Sequence, residues 1–164
     1  MAAGNTYEPI SSTTLGSSQT NLTFSSIPGT YTDLIIIYQA KSSTTGFDAY
    51  MRFNADAGAN YSATYASGNG SAGESGRQAN NTGILLDNYG AVFTTAFNMT
   101  RINVMNYANT TTYKTALMRS DYAASGTDMI VGMWRNTAAI TSITIVGSSF
   151  ATGSTFTLYG ITAA

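Results

Sequence analysis

Hydrophobic residues along this chain fall into short runs in which apolar and polar positions alternate, and no stretch keeps the period of an amphipathic helix. β-branched and aromatic runs recur roughly every ten to fifteen residues, which is typical of sandwiches and barrels. Residues 34–38 are apolar on both faces, as expected of a central strand covered on two sides. Met51 and Phe53 alternate with Tyr50 and Arg52, which predicts a strand with one solvated face. The pattern predicts about nine or ten strands and no helix.

These strands indicate an all-β fold with the architecture of an antiparallel β-sandwich. A jelly-roll-like arrangement is favoured over an up-and-down barrel, because the long stretch of Gly, Ser and Asn at residues 67–83 does not fit a simple hairpin. No linker divides the chain. We therefore predict one sandwich domain at residues 17–164, preceded by an N-terminal arm at residues 1–16.

Two polar segments are predicted to lie outside the core. The arm holds few apolar residues, and such termini stay loose unless something ties them down. The 67–83 stretch is predicted to be either a flexible, solvent-exposed loop or a loop that becomes ordered against a neighbouring subunit. We expect both segments to be disordered or extended in the free protein, so that deleting residues 2–12 leaves the fold intact. The residues expected to make partner contacts are Tyr7, Ile10, Glu74 and Arg77.

The amino-acid composition argues against most catalytic mechanisms. The chain contains no His and no Cys, and only 9% of its residues are charged. Histidine is the usual general base near neutral pH, and Cys and His are the main zinc ligands. We therefore predict no enzyme, no catalytic residue, no cofactor and no metal. The net charge of −1 gives no field that attracts nucleic acid, and no apolar run is long enough to span a bilayer.

One loop superficially resembles a calcium site. Asn54, Asp56 and Asn60 place side-chain oxygens around Gly58, and calcium takes six to eight oxygen ligands. Only one of these groups is a carboxylate, and no bidentate glutamate follows. A hairpin turn after the strand at Phe53 is the preferred interpretation.

Acidic and aromatic residues offer two further chemistries. The candidates for a paired-acid glycosidase are Glu74, Asp87, Asp121 and Asp128. We prefer to interpret them as turn residues and ion-pair partners of the arginines at positions 52, 101, 119 and 135. The eleven tyrosines and the single tryptophan could stack on sugars, but rings in a β protein are usually buried. Trp134 is accordingly predicted to lie in the core.

Three stretches of the chain carry a resemblance to a known group. They are LTFSSIP at 22–28 with YTDL at 31–34, FNAD at 53–56 with NYS at 60–62, and ITSITI at 140–145 with GSTFTLYGI at 153–161. In this order they resemble small virion structural proteins of tailed bacteriophages, especially phages of marine bacteria and cyanobacteria. Each stretch is a strand with its turn, so the resemblance is more specific for the fold than for the role.

The resemblance implies a head decoration (cement) protein, a tail component or a fibre tip, and it brings no active site. We expect a non-enzymatic virion protein, made in the host cytoplasm, that binds the major capsid protein and stabilises the DNA-filled head. The alternative is a tail-fibre or tail-tip domain that binds a receptor or carbohydrate.

A homotrimer is expected from the strands that are apolar on both faces. Residues 34–38 are one such strand, and the last strand has Phe156 and Leu158 on one side and Tyr159 and Ile161 on the other. A two-sheet sandwich needs only one apolar face per strand, so the surplus predicts a second buried surface. Trimers also match the local threefold positions of a capsid.

Overall fold

The protein is all-β in the computed structural model, which describes residues 6–44, 46, 48–88, 92, 94–122 and 126–162. These residues form twelve strands and no helix. The first six strands are β1 (Tyr7–Thr14), β2 (Gln19–Phe24), β3 (Asp33–Ala40), β4 (Tyr50–Phe53), β5 (Tyr61–Gly68) and β6 (Gly73–Asn81). The others are β7 (Ile84–Leu85), β8 (Asn98–Met105), β9 (Lys114–Tyr122), β10 (Gly126–Trp134), β11 (Ile143–Phe150) and β12 (Thr155–Ile161).

The strands pair antiparallel and form two sheets of unequal size. The larger sheet has the order β1-β12-β3-β8-β9-β10-β5-β6, and the smaller has the order β2-β11-β4-β7. Neighbours along the chain pair in the run β8-β9-β10, whereas β3 and β12 come from distant parts of the chain. The predicted all-β, antiparallel, sandwich-like fold is confirmed, with more strands than the nine or ten expected.

The core is formed by every second residue of the strands, whose side chains point between the two sheets. Leu34, Ile36 and Tyr38 on β3 are at most 1% exposed, whereas Ile37 on the opposite face is 36% exposed, so the predicted cover on both faces is not complete. Trp134 at the end of β10 is buried, as predicted, and its ring stacks on Tyr61 with centroids 6.3 Å apart. Burying rings of this size supplies much of the hydrophobic stabilisation of a small sandwich.

The N-terminal segment differs from the expected arm. Residues 7–14 form β1 at one edge of the larger sheet, with Tyr7 opposite Ile161 and Thr14 opposite Thr155. Most β1 side chains are exposed, so the segment is held mainly by backbone hydrogen bonds to β12. The described part of the predicted arm therefore belongs to the sandwich. Residues 1–5 lie outside the described residues.

The predicted long loop at residues 67–83 is also corrected, because most of it belongs to a β-hairpin. The end of β5 pairs with β6 from Gly68 opposite Gly73 onwards. Asn69 forms the turn, since its Oδ1 accepts hydrogen bonds from the backbone N–H groups of Ser71 and Ala72 at 2.9 and 2.7 Å. β6 occupies the other edge of the larger sheet.

Candidate functional site

The outward side of the larger sheet carries a group of exposed apolar side chains. We call this group the outer patch and define it by Ile37, Met99, Leu117, Met129 and Val131. These side chains are between 36% and 61% exposed, and they lie on the four neighbouring strands β3, β8, β9 and β10. The register places Leu117 directly opposite Val131. Grouped apolar side chains on a surface mark interaction sites, whereas scattered ones do not.

Two arginines lie at the centre of the outer patch. Arg101 on β8 is directly opposite Arg119 on β9, and the same row continues to Ile37 on one side and Met129 on the other. Like charges directly opposite each other destabilise a sheet. The expected ion pairs are not formed, because no carboxylate of the described residues bridges to either guanidinium. The centre of the outer patch is therefore positively charged.

Strand β1 partly holds Arg101. The Nη2 of Arg101 donates a hydrogen bond to the hydroxyl of Tyr7 at 3.3 Å, and the Tyr7 ring stands edge-on to Tyr159. This contact reaches from β8 to β1 across β3 and β12. The Nε of Arg101 is buried and has no hydrogen-bond partner in the described part of the chain.

Two open hollows adjoin the arginine pair, and both arginines line each of them. The first hollow has a volume of about 330 Å³ and is also lined by Met99, Ser120, Asp121 and Thr127. The second has a volume of about 240 Å³ and is also lined by Asn103, Leu117, Met118 and Met129. The second hollow thus combines guanidinium donors with apolar surface, which suits an acidic group that has apolar neighbours, whereas the first hollow also contains the carboxylate of Asp121.

The four predicted partner residues do not form one site. Tyr7 adjoins the outer patch through Arg101, and Ile10 on β1 is half-buried against the core. Glu74 and Arg77 lie on β6, at the opposite edge of the larger sheet. Glu74 accepts a hydrogen bond from the side-chain amide of Asn88 at 2.6 Å, whereas Arg77 is exposed opposite Thr64.

The loop at residues 54–60, considered above as a calcium site, binds the side chain of Trp134. The carboxylate of Asp56 accepts hydrogen bonds from Trp134 Nε1 at 2.7 Å, from Asn60 Nδ2 at 2.9 Å and from the backbone N–H of Gly58 at 2.8 Å. Partial burial acts to raise the pKa of Asp56, but these hydrogen bonds outweigh it and leave the pKa below its ordinary value. The Asp56 oxygens therefore serve to fix the loop against the core.

The candidate glycosidase acids fall into two environments. Asp121 lies on the outer face, where its Oδ1 accepts a hydrogen bond from the backbone N–H of Met99 at 2.7 Å. Asp87 and Asp128 are at most 2% exposed and bind the backbone N–H groups of Ala49 and Asn88. These two buried carboxyls hold chain segments together, and their burial keeps a substrate away from them.

Sequence reasoning missed a buried lysine. Lys114 is 1% exposed, and its Nζ donates to the carbonyl oxygens of Thr112 at 2.8 Å and Thr137 at 3.0 Å. Burial lowers the pKa of Lys114. Because both acceptors are backbone carbonyls, the lysine ties the start of β9 to the segment after β10, which is a structural role.

Comparisons with known proteins add little. No family model matches the chain, and no curated protein matches it. A solved structure of a protein of unknown function from Shewanella oneidensis MR-1 aligns with 100% of this chain and 74% of its own, at 14% identity and a TM-score of 0.24. A similarity at this level carries no argument about fold or function. Among the described residues, no helix has the length and apolar character needed to cross a membrane.

Proposed function

We propose that this chain is a non-enzymatic assembly protein that docks onto a partner protein through the outer patch. The observation that supports this is the grouping of exposed apolar side chains around two unpaired arginines on four neighbouring strands. Methionine and arginine are enriched in protein interfaces, and the patch has two of each. A sheet face is also a rigid surface that can be covered without rearrangement.

The partner we propose is the major capsid protein of a tailed bacteriophage, with this chain as a decoration protein on the outside of the filled head. The support is the resemblance of the three strand-and-turn stretches to virion structural proteins. Bridging adjacent capsid subunits would add buried interface that resists the pressure of packaged DNA. Such a role needs surface and stability, and it needs no reactive group.

A receptor-binding or carbohydrate-binding tip of a tail fibre is the second candidate. It is favoured by two exposed rings, Tyr7 and Tyr113, which are 50% and 53% exposed. Tyr38, Tyr61 and Tyr107 are at most 1% exposed and cannot stack on a sugar. Quantitative mass spectrometry of purified virions separates the candidates, because a decoration protein is present in many copies and a fibre tip in few.

The docking role is tested with the double variant Met129→Gln/Val131→Thr. Both residues are exposed and neither substitution changes charge, so the variant should unfold like the original protein. We expect its affinity for particles that lack the protein to fall at least tenfold, since apolar interface area is lost. Cosedimentation with such particles measures this affinity.

The matched control is Tyr113→Gln, which removes an exposed apolar side chain outside the outer patch. Under the decoration reading, this control should bind particles normally. Equal binding of the double variant and the original protein would show that the outer patch is not the docking surface.

A further inference from the structure

We infer that the Arg101–Arg119 pair is a carboxylate-binding site that takes an Asp or Glu side chain of a partner protein, with apolar partner residues on either side of it. This inference rests on the proposed docking role and specifies the chemistry of the partner at the same surface. It assigns a function to two arginines whose placement opposite each other is unfavourable within the isolated chain.

The donors of the pair are largely unused. Each guanidinium has five N–H donors, and Arg101 uses one of them for Tyr7. The Nε of Arg101 is buried without an acceptor from the described residues, and Arg119 forms no side-chain hydrogen bond with any of them. A carboxylate placed between the two would supply acceptors to both guanidiniums and offset their repulsion. The planar fork of arginine suits a carboxylate, which it binds through two parallel hydrogen bonds.

The surroundings favour a carboxylate with apolar neighbours over a free anion. The second hollow is lined by Leu117 and Met129 as well as by the arginines, and the first by Met99. These side chains offer apolar area that a small inorganic ion cannot cover. A peptide segment with Glu or Asp beside Leu or Met would cover both the charged and the apolar parts.

Charge selects an acidic partner over a second copy of the chain. Along β8 and β9 the outward charged residues are Arg101, Arg119 and Asp121, which gives two positive charges and one negative charge per copy. Two copies stacked through this face would oppose twice that set, four guanidiniums against two carboxylates. An acidic partner removes the repulsion instead of doubling it.

The test uses two peptides that differ only in charge, acetyl-Leu-Glu-Leu-amide and acetyl-Leu-Gln-Leu-amide, at constant ionic strength. Nuclear magnetic resonance follows the methyl groups of Met99 and Met129 and the Nε–H of Arg119. The Glu peptide should shift these signals in a saturable way, and the Gln peptide should bind at least tenfold more weakly. Equal binding of the two peptides would overturn the inference.

Arg119→Gln is the informative variant, because Arg119 is exposed and holds no other described residue. It should weaken binding of the Glu peptide at least tenfold. The matched control is Arg77→Gln, which removes the same charge from the same face, three strands away in the sheet. Binding of the control should match the original protein. An equal loss in both variants would show only a general attraction of negative charge and would contradict a defined site.

Inorganic phosphate supplies the remaining comparison. If phosphate competes with the Glu peptide more strongly than acetate does at equal ionic strength, the site is a general oxyanion site and the carboxylate assignment fails. The result also stands apart from the docking experiment. If the Glu peptide binds but Met129→Gln/Val131→Thr binds particles as the original protein does, only the docking role is refuted. If that variant loses particle binding but the Glu peptide does not bind, only the carboxylate site is refuted.

Discussion

At the scale of single residues, Asp87 has the most unfavourable environment for a charge. Its carboxyl is 2% exposed, and its Oδ1 has no hydrogen-bond partner among the described residues. Burial raises the pKa of Asp87 well above its ordinary value, and the nearby charges of Asp48 and Asp128 raise it further. The folded protein therefore holds a proton that the unfolded chain releases.

This proton makes stability depend on pH with a definite sign. Above the ordinary Asp pKa of 3.8, the folded state binds more protons than the unfolded state, so the free energy of unfolding falls as the pH rises towards the raised folded-state pKa. Asp87→Asn should remove this contribution, so the variant should gain stability relative to the original protein as the pH is raised from 4 to 8. Urea unfolding at the two pH values measures the difference.

The exposed carboxyl of Asp121 provides the control for this prediction. Asp121→Asn makes the same chemical substitution at an exposed position and keeps the oxygen that accepts the Met99 hydrogen bond. A pH dependence that Asp87→Asn removes and Asp121→Asn retains is assigned to the buried carboxyl of Asp87. Parallel curves for Asp87→Asn and the original protein would contradict a buried proton at Asp87.

At the scale of elements, the sequence pattern reports burial and is silent on backbone pairing. Strand β4, which has one apolar face, is predicted correctly because its inward residues alternate with its outward ones. β1 and β6 were not predicted, because both are sheet edges whose side chains are mostly exposed. Their stability comes from hydrogen bonds to β12 and β5, which leave no hydrophobic signal.

The position of β1 reverses the expected outcome of a truncation. Deleting residues 2–12 removes most of the pairing with β12 and the half-buried Ile10. We expect a loss of roughly 2 kcal/mol of stability, which for a domain of this size lowers the melting temperature by roughly 4–8 °C. The uncovered edge of β12 should also promote aggregation, since Pro9 and the adjacent register shift no longer end the sheet. Calorimetry and light scattering measure the two effects.

A truncated protein that melts like the original would contradict this prediction and restore the arm. The control is Ser12→Ala, which removes only the exposed side-chain hydrogen bond to Thr157 and leaves the backbone pairing of β1 intact. Its melting temperature should change little, because an exposed hydroxyl pair contributes little to stability.

At the scale of the whole molecule, the candidate site was only partly predictable. The two-sided apolar pattern of β3 predicts cover on both faces, but only the inward face is fully buried, and the outward Ile37 is exposed in the outer patch. The central feature of the patch, Arg101 opposite Arg119, depends on the pairing of β8 with β9 in one particular register. Composition and periodicity do not fix the register of two paired strands. The sequence alone therefore cannot show that the two arginines face each other, and it favours ion pairs with carboxylates instead.

The homotrimer stays a prediction, and the charge of the outer patch gives it a salt dependence. Screening shortens the reach of charges from about 10 Å at 0.1 M salt to about 3 Å at 1 M. If copies associate through the outer patch, added salt should strengthen the trimer, because it weakens the repulsion between arginines. Added salt should instead weaken the binding of an acidic partner. Sedimentation measures the mass of the free protein at both salt concentrations, and we expect three times 17.2 kDa. A monomer at micromolar concentration under both conditions would exclude self-association of the free protein, and a trimer that dissociates in 1 M salt would place its interface away from the arginine pair.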